Sequence, residues 1–508
     1  MKRLAAVALV LALLLSGCSR PEAYVPTGDG LSEQEVTKPT QPSEKPVQEL
    51  SLTYYPQKGL NPYTCAEETN RLLFSLLYQS LFTVSSGYVV EPQLCSGYSV
   101  TPDGMHYVFY IENATFSDGT PLTVADVYAS LEAARTSPIY GGRFSRVESI
   151  VPTQDNGLQV NLTIPYENFP LLLDVPIVKA TQVQETAPLG TGPYTLEQGV
   201  TGTLLRLRRD WWCKAKLPLT AERIPLLTAT SATGIRDQFE RENVGVVCAN
   251  PAQNSYVDFR CEYELWEREN GGFLYLGCRA KSTVFSSAAV RQALSFAIDR
   301  QSISLEFYRS FAQITTIPAS PGFPYYSRAE AGKVSYDPER FRQVLVQEGL
   351  EDASIVLLVN KEDGRRVQVA NAIARMLRDC GLKVTVRAQG GEDYEKALKN
   401  GQYDLHLGQT KLSPNMDLSA FFASDGALNF GGMSDAGIYS LCQDALANHG
   451  NYTALYQAVL ADAMLCPVAF LSDAIYVQRG LLQDFSPARD WVFYYSLGKT
   501  MEEIRLGE

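Results

Sequence analysis

The chain has few of the residues that metal and redox sites require. It has three histidines, His106, His406 and His449, in separate sequence contexts, and none of its ten cysteines forms a CxxC pair. The motifs HExxH, GxSxG and GxxxxGK[ST] are also absent. Zinc ribbons, thioredoxin-like sites, zinc proteases, nucleophile-elbow hydrolases and P-loop enzymes are therefore disfavoured. We expect a protein that is not an enzyme and that needs no metal and no cofactor.

Positive charge and long apolar runs are also scarce. Lys and Arg total 44 against 56 Asp and Glu, which leaves a formal net charge of −12 at pH 7. A surface of this sign repels a phosphate backbone, so nucleic-acid binding is disfavoured. After the N-terminal segment, the sequence contains no stretch that is long and apolar enough for a transmembrane helix.

The N-terminus indicates export. Residues 1–18, MKRLAAVALVLALLLSGC, have the pattern of a lipoprotein signal peptide, because Lys2 and Arg3 precede a short apolar run. The final LSGC resembles a bacterial lipobox, in which Cys18 is lipidated and becomes the mature N-terminus. The alternative is an ordinary signal peptide with an incidental cysteine. Acyl chains on Cys18 would anchor the protein without a transmembrane helix.

The next segment predicts a spacer rather than a folded element. Residues 19–49 are rich in Pro, Ser, Thr, Glu and Gly, a composition that predicts a flexible tether. We therefore expect the protein to be lipid-anchored on the extracytoplasmic face of the cell membrane. The full chain of 508 residues, 45% of them apolar, is long enough for about three domains or two large lobes.

The region 353–408 predicts a β-α-β-α-β unit. A helix precedes it, which Asp337-Pro338 begins and Gly349 ends. The predicted strands are ASIVLLVN, LKVTVRA and YDLHLG, and the helices between them are VQVANAIARMLRDCG and EDYEKALKNG. This order predicts parallel strands joined by right-handed crossovers.

Apolar spacing predicts further elements. TNRLLFSLLYQSLF has leucines at helical spacing and predicts one amphipathic helix, and SSAAVRQALSFAIDRQSI predicts another. Thr123 with Asp126 resembles a capping box at the start of a third helix. Asn270-Gly271-Gly272 predicts a chain break before the strand FLYLGCR.

The cysteine positions allow one candidate disulfide. Without Cys18 there are nine, an odd number, so at least one thiol is free or pairs outside the chain. Cys248 and Cys261 flank a predicted hairpin, VGVVCANPAQNSYVDFRCEYELW, and either a disulfide in an oxidising compartment or two free thiols fits them. The other cysteines lie mostly in apolar contexts, which favour core positions.

A polar loop follows the third strand of the β-α-β-α-β unit. It begins in the stretch HLGQTKLSPNMDLS and runs from Gln409 to Asp417. In open α/β sheets ligands bind beyond the carboxyl ends of the strands, so this loop is a candidate ligand contact. The alternative is a solvated surface connection.

Six stretches carry a resemblance to a known family. They are GLNPY, EPQLCSGYSVTPDGMHYVFYI, ATFSDGTPLTVADVYASL, LGTGPYTL, AAVRQALSFAIDR and YDPERFRQVLVQEG. In this order they resemble extracellular solute-binding protein family 5, the oligopeptide-, dipeptide- and nickel-binding lipoproteins of ABC importers, over roughly residues 50–480. The resemblance implies an α/β, periplasmic-binding-protein-like fold (type II, cluster C), with two lobes of mixed sheets plus a small inserted domain.

The resemblance also implies boundaries and partners. Lobe 1 would comprise residues 50–270, with an inserted subdomain at about 65–186, and the returning segment 473–508; lobe 2 would comprise residues 271–472. The lobes would close by hinge motion over a small-molecule or short-peptide ligand. The implied partners are an ABC permease and its ATPase, and we expect a monomer.

The polar loop departs from the family pattern. Peptide-binding members resemble one another in a Gly-Trp-x-x-Asp-Tyr stretch, whose Asp holds the ligand's α-ammonium group. Here the tryptophan position is Gln409 or Thr410, and the aspartate position is Leu412 or Ser413, so neither supplies a carboxylate. Lys411 instead offers a cation that suits an anionic ligand, with a solvated lysine as the alternative.

The predicted ligand-binding residues come from two places in the sequence. They are Tyr55, Asn61, Gln409, Thr410, Lys411, Asn415 and Asp417. Tyr55 and Asn61 are included because the first strand and its turn border the cleft in family members, and Asp417 is a nearby carboxylate that is offset from the aspartate position. We predict a substrate-binding lipoprotein that captures a peptide-like or other small polar solute for an ABC importer. The alternative is a binding-degenerate sensor or scaffold lipoprotein that transports nothing.

Overall fold

The chain combines strands and helices, with several strands in succession between residues 79 and 111. The structure, a computed structural model, describes residues 49–199, 202–251 and 259–506. The predicted signal peptide, the lipidation site Cys18 and the tether up to residue 48 lie outside the described residues. Within the described ranges, every helix is too short or too polar to cross a membrane.

The strands of the described chain group into five sheets. They are β1 (Leu52–Tyr54), β2 (Gln79–Ser80), β3 (Phe82–Val84), β4 (Val90–Pro92), β5 (Cys95–Val100), β6 (His106–Ile111), β7 (Val147–Pro152), β8 (Leu158–Leu162), β9 (Pro176–Ile177), β10 (Tyr194–Gly199), β11 (Gly202–Leu207), β12 (Arg223–Thr228), β13 (Val246–Ala249), β14 (Tyr263–Cys278), β15 (Ala312–Ile314), β16 (Ser354–Asn360), β17 (Lys383–Gln389), β18 (Leu405–Lys411) and β19 (Leu465–Gln478).

The α-helices are mostly short, and along the sequence they lie before β14 and between β14 and β19. They are Glu68–Arg71, Phe74–Leu77, Val124–Thr136, Ala232–Glu240, Ala288–Leu294, Arg300–Tyr308, Arg328–Ala331, Pro338–Gln347, Gly364–Asp379, Gly391–Lys399, Ser419–Phe422, Ala436–Ala447 and Tyr452–Asp462. The capping box predicted from Thr123 and Asp126 is confirmed at the start of the helix Val124–Thr136. Asp337 is confirmed as an N-cap, since its side chain accepts a hydrogen bond from the backbone N–H of Arg340.

The largest sheet has the order β13-β19-β14-β18-β16-β17, and β15 pairs with β19. Its two longest strands, β14 and β19, pair antiparallel along most of their length. Every residue of β19 is buried, as expected for an apolar strand that is covered on both faces. These two strands form the middle of the fold.

The predicted β-α-β-α-β unit is confirmed. β16 pairs in parallel with both β17 and β18, and the helices Gly364–Asp379 and Gly391–Lys399 connect them. The pairing of β16 with β18 stops at Leu407, whereas β14 continues to pair with β18 as far as Lys411. The carboxyl end of β18 therefore projects beyond its parallel neighbour.

The remaining sheets are smaller. One has the order β1-β12-β11-β10, with β1 and β12 parallel. The others have the orders β5-β6-β8-β7, β2-β9 and β3-β4, and all of their strands fall between residues 79 and 177. These three sheets thus lie within the range predicted for the inserted subdomain.

Both predicted lobe boundaries fall inside long strands. Residue 270 lies within β14 and residue 472 lies within β19. The two paired strands therefore run continuously across the positions where one lobe was expected to pass into the other. The described residues from Glu49 onward form one compact unit by their contacts.

Two predicted helices are wrong in extent. The segment TNRLLFSLLYQSLF forms two single-turn helices, Glu68–Arg71 and Phe74–Leu77, and then enters β2 and β3. Its side chains are buried on all sides, so the leucine spacing marks no solvent-facing stripe. The second predicted helix is interrupted at Ile298, because Asp299 caps a new helix by accepting a hydrogen bond from the backbone N–H of Ser302.

The predicted break and hairpin are also wrong. Asn270-Gly271-Gly272 is a bulge within β14, where the pairing with β19 shifts register. β13 and β14 are not hydrogen-bonded to each other, because β19 lies between them. The disulfide considered for Cys248 and Cys261 is therefore absent, and both thiols are free.

Candidate functional site

Two adjoining cavities lie beside the projecting end of β18. The larger, which we call the cleft, has a volume of about 820 Å3, and the smaller, the side cavity, about 570 Å3. Glu68, Thr410 and Lys411 line both. The end of β18 thus lies between the two cavities, at the edge of the sheet where α/β proteins bind ligands.

The structure brings most of the predicted site residues together. Gln409, Thr410 and Lys411 are the last residues of β18 rather than part of a loop. Gln409 lines the side cavity together with Tyr55, whereas Asp417 lines the cleft. These five residues, carried by β18, the segment after β1 and the polar loop, line the two adjoining cavities.

Asn61 and Asn415 line neither cavity. Asn61 is 4% exposed, and its side-chain amide donates to the carbonyl oxygens of Val183 and Glu185 at 2.9 and 2.8 Å. Asn415 is also 4% exposed, and its Oδ1 accepts from the hydroxyl of Ser413 at 2.6 Å. The Asn61 side chain ties its segment to residues 183–185, and the Asn415 side chain is engaged within the polar loop, so neither lines the candidate site.

The polar loop is held by hydrogen bonds within itself and to a neighbouring helix. Oδ1 of Asp417 accepts from the backbone N–H of Ser419 at 2.8 Å, and the hydroxyl of Tyr452 donates to the carbonyl of Asn415 at 2.7 Å. Met416 takes a positive φ of 52° between them. The loop is therefore a fixed wall of the cleft.

Positively charged side chains dominate the cleft wall. The cations that line it are Arg71, Arg143, Arg146, Lys411 and Arg489, and the carboxylates are Glu68, Asp417 and Asp425. Sequence reasoning had singled out only Lys411 and Asp417. Three of the four missed arginines, Arg71, Arg143 and Arg489, stand in the apolar contexts RLLF, GGRF and ARDWVF, and a buried charge needs a partner, so that context was an available signal.

One buried carboxylate, Asp490, is shared by four of these cations. Nη2 of Arg143 donates to it at 2.6 Å, while Lys411 Nζ, Arg489 Nε and Arg71 Nη2 lie 3.7, 3.9 and 4.0 Å from its oxygens. Burial would raise the pKa of Asp490, but the surrounding positive charges hold it well below its usual range. Asp490 does not line the cleft, so the negative charge lies behind the positive ones.

Lys411 differs from the arginines in its exposure. Its side chain is 42% exposed, and desolvation by the surrounding cleft walls lowers the pKa of its ammonium group to about 8, although Asp490 acts in the opposite direction. Since the side chain still reaches solvent through the cleft, this desolvation is partial. The ammonium group is accessible to a solute from either cavity.

Arg489 is buried beneath the bulge of β14. Its side chain is 5% exposed, and Nη2 donates to the carbonyl oxygen of Leu412. Gly271 takes a φ of 76°, and a Cβ atom there would overlap the guanidinium group of Arg489. A glycine at this position is thus required by both the backbone conformation and the close approach of the arginine.

A second ion cluster forms part of the wall of the side cavity, which Glu68, Cys248 and Asp473 line. Nη2 of Arg268 donates to Glu68 at 2.7 Å and to Asp473 at 2.6 Å, and it lies 3.7 Å from Sγ of Cys248. The ligand atoms of Glu68, Cys248 and Asp473 are within 4.8 Å of one another, a spacing that suits a metal ion. The guanidinium group occupies the space between them, so the cluster is an ion-pair network that joins β13, β14 and β19.

The three histidines lie apart and outside the cleft. His406 is completely buried in β18, where its ring packs edge-on against Tyr275, Tyr403 and Phe430, and burial lowers its pKa to about 4. His406 is therefore a core residue of the sheet.

Comparison with known proteins identifies relatives of the same architecture. Residues 89–429 match the family described as bacterial extracellular solute-binding proteins, family 5 Middle. The chain is 23% identical over 350 residues to the glutathione-binding protein GsiB of Salmonella typhi, which covers 65% of this chain and 67% of that protein. It is 21% identical over 422 residues to the oligopeptide-binding protein AppA of Bacillus subtilis, covering 74% of each.

Solved structures share the fold at low sequence identity. The unliganded open form of the murein tripeptide-binding protein MppA matches with a TM-score of 0.74 at 15% identity, covering 89% of this chain and 98% of that one. NikA from Brucella suis in complex with Fe(III)-EDTA matches with a TM-score of 0.68 at 17% identity, covering 88% and 99%. The periplasmic-binding-protein-like fold is therefore confirmed, and the chain belongs to the bacterial extracellular solute-binding proteins of family 5.

Proposed function

We propose that this protein captures a small polar or peptide-like solute in the cleft and delivers it to an ABC permease and its ATPase outside the cytoplasmic membrane. The observation that carries this proposal is the cleft itself, about 820 Å3 in volume and beside the carboxyl end of β18. Ligand sites of small-molecule binding proteins fall in this size range. Relatives named for binding glutathione and oligopeptides support a peptide-like solute.

Closure of the cleft would involve the two long strands. In this proposal β14 and β19 are the hinge between a first lobe, residues 50–270 and 473–508, and a second lobe, residues 271–472. A solute that contacts both walls binds the closed form more tightly and shifts the equilibrium toward it. The permease then recognises the closed form.

The alternative, a binding-degenerate sensor or scaffold, is less well supported. It predicts a cleft filled by the protein's own side chains, whereas the present cleft has room for a solute. The relatives are binding proteins by name, which also supports solute capture over catalysis.

Mass spectrometry of solutes that copurify with the full chain tests solute capture. A solute released by denaturation and added back should raise the Tm, because a ligand that binds only the folded state stabilises it. Ala427, which is exposed and lines the cleft, offers a way to fill the space: Ala427→Trp should abolish the shift. The matched control is Ala215→Trp at an exposed position away from the cleft. Equal shifts in both variants, or no solute that binds, would refute the proposal.

Membrane anchoring is a separate part of the proposal. The sequence LSGC supports lipidation at Cys18, followed by the tether, with the folded part held as a monomer beside the importer. Cys18→Ala should move the protein from the membrane fraction to the soluble extracytoplasmic fraction. Cys213→Ala is the matched control, and membrane retention of the Cys18 variant would contradict lipid anchoring.

A further inference from the structure

The carboxylates that line the cleft are largely engaged by the protein itself. Glu68 is hydrogen-bonded to Arg268 at 2.7 Å. Asp417 accepts from the backbone N–H of Ser419 at 2.8 Å and lies 3.9 Å from Nε of Arg146. Of the three carboxylates that line the cleft, this leaves exposed Asp425 for an incoming ammonium group. The cleft is therefore poorly equipped to bind a cationic group in its interior.

The Lys411 ammonium group, in contrast, is available. It makes no hydrogen bond with the described residues, and its one ion pair is with Asp490, at 3.7 Å. That carboxylate is already hydrogen-bonded to Arg143. An ammonium group has three N–H donors, and those of Lys411 reach both cavities. The strongest unfilled hydrogen-bonding capacity on the cleft wall is thus cationic.

Further positive charge lies where the family pattern would place an aspartate. Leu412, one of the two residues at that position, is buried, and its carbonyl oxygen accepts from Arg489. Nε and Nη1 of Arg489 have no hydrogen-bond partner within the described part of the chain. A guanidinium group, which also lies 3.8 Å from Glu269 and 3.9 Å from Asp490, thus stands beneath the position at which the family pattern would place a carboxylate.

We propose that the solute held in the cleft carries a carboxylate group, and that Lys411 binds that group. This inference rests on the proposed function and names its class of substrate: a small organic acid or an acidic peptide. A carboxylate supplies acceptors for the Lys411 donors in charge-assisted hydrogen bonds, which are stronger than neutral ones. Arg71 and Arg489, which line the same cleft, add to the attraction without leaving their own partners.

Three linear probes of equal chain length test the charge preference: glutarate, glutaramide and cadaverine, each at millimolar concentration. Glutarate should raise the Tm of the full chain, and the neutral diamide and the cationic diamine should not. The tripeptide Gly-Gly-Glu separates the two sources of the carboxylate, since a larger shift than that of glutarate identifies an acidic peptide. An equal or larger shift with glutaramide or cadaverine, or no shift with either acidic probe, would overturn the proposal.

Variants of two lysines assign the binding to Lys411. Lys411→Met should weaken the acidic probe about ten- to hundredfold, the effect expected for one hydrogen bond between charged groups. The matched control is Lys383→Met: Lys383 is 64% exposed, belongs to the same sheet and also has one ion pair, with Asp352 at 3.4 Å. Isothermal titration should show unchanged affinity for the control. Unchanged affinity in the Lys411 variant would refute its role.

Failure of this inference is distinguishable from failure of solute capture. If a neutral or cationic solute copurifies, and Ala427→Trp blocks its binding, the protein captures a solute but the carboxylate assignment is wrong. If neither copurified solutes nor any probe binds, the proposed function fails as well.

Discussion

Nζ of Lys411 lies 3.7 Å from Oδ1 of Asp490, close enough for electrostatic attraction and too far for a hydrogen bond. The lysine therefore keeps its donors while the carboxylate keeps the lysine charged. Among the other charged groups nearby, Arg71 and Arg489 lower the pKa of Lys411, and Glu68 raises it. This balance sets the pH range over which Lys411 is positively charged.

Affinity for glutarate should fall as the pH rises through about 8, the lowered pKa of Lys411. Binding favours the protonated lysine, so affinity is highest below this pH and declines as the proton is lost. Isothermal titration between pH 6.5 and 9.5 measures the profile. Lys411→Met should give a flat profile at weaker affinity, and a parallel decline in that variant would assign the pH dependence to another group.

Burial of His406 should make stability depend on acidity. Its pKa is lowered to about 4 in the folded chain against about 6.5 when unfolded. The unfolded state therefore takes up a proton first, and stability is lost as the pH falls from 6.5 toward 4, by at most about 1.4 kcal/mol per pH unit. His406→Leu should reduce this slope in urea unfolding at pH 7 and pH 5. An unchanged slope would contradict a neutral buried histidine.

Loss of Arg268 should destabilise the fold strongly. Arg268→Met leaves buried Asp473 without its cation and close to Glu68, and breaking a buried ion pair in this way costs about 3–5 kcal/mol. The matched control is Arg479→Met, since Arg479 is 65% exposed and its pair with Glu262 at 3.4 Å is also exposed. The control should change the free energy of unfolding by no more than about 0.5 kcal/mol. Similar effects in urea unfolding would show that the network contributes little.

All nine cysteines from Cys65 to Cys466 should be thiols. Alkylation in denaturant without reductant should therefore add nine labels to the described chain, as measured by intact mass. Cys248 and Cys261 are the informative pair, because β19 lies between β13, which carries Cys248, and β14, which begins two residues after Cys261. Two missing labels, restored by reductant, would reveal a disulfide in the protein.

Local rules predicted the elements whose contacts are local. The β-α-β-α-β unit follows from apolar spacing and from glycines at helix ends, and the caps at Thr123 and Asp337 follow from adjacent residues. The segment from Leu72 to Leu81 does not form the helix that its spacing predicts, because it is buried on every side. Gln79 and Ser80, in the last predicted turn, instead pair as a strand with Ile177 and Pro176. Burial from distant segments overrode its helical spacing.

The site was predictable only where a local sequence pattern marks it. Lys411 was found because a strand end in an α/β sheet is a general binding position. Arg71, Arg143 and Arg489 come from distant parts of the sequence and meet only through the fold around Asp490. No spacing rule connects such residues, although their apolar neighbours indicate that each is buried.

The bulge at Gly271 has a consequence for affinity, because it makes room for the Arg489 side chain. A methyl group at this position would displace the Arg489 guanidinium, and with it the charge that supports the cleft floor. A single added methyl group in β14 would thus move a guanidinium group of the cleft wall and weaken the hold on an acidic solute, with Lys411 itself unchanged.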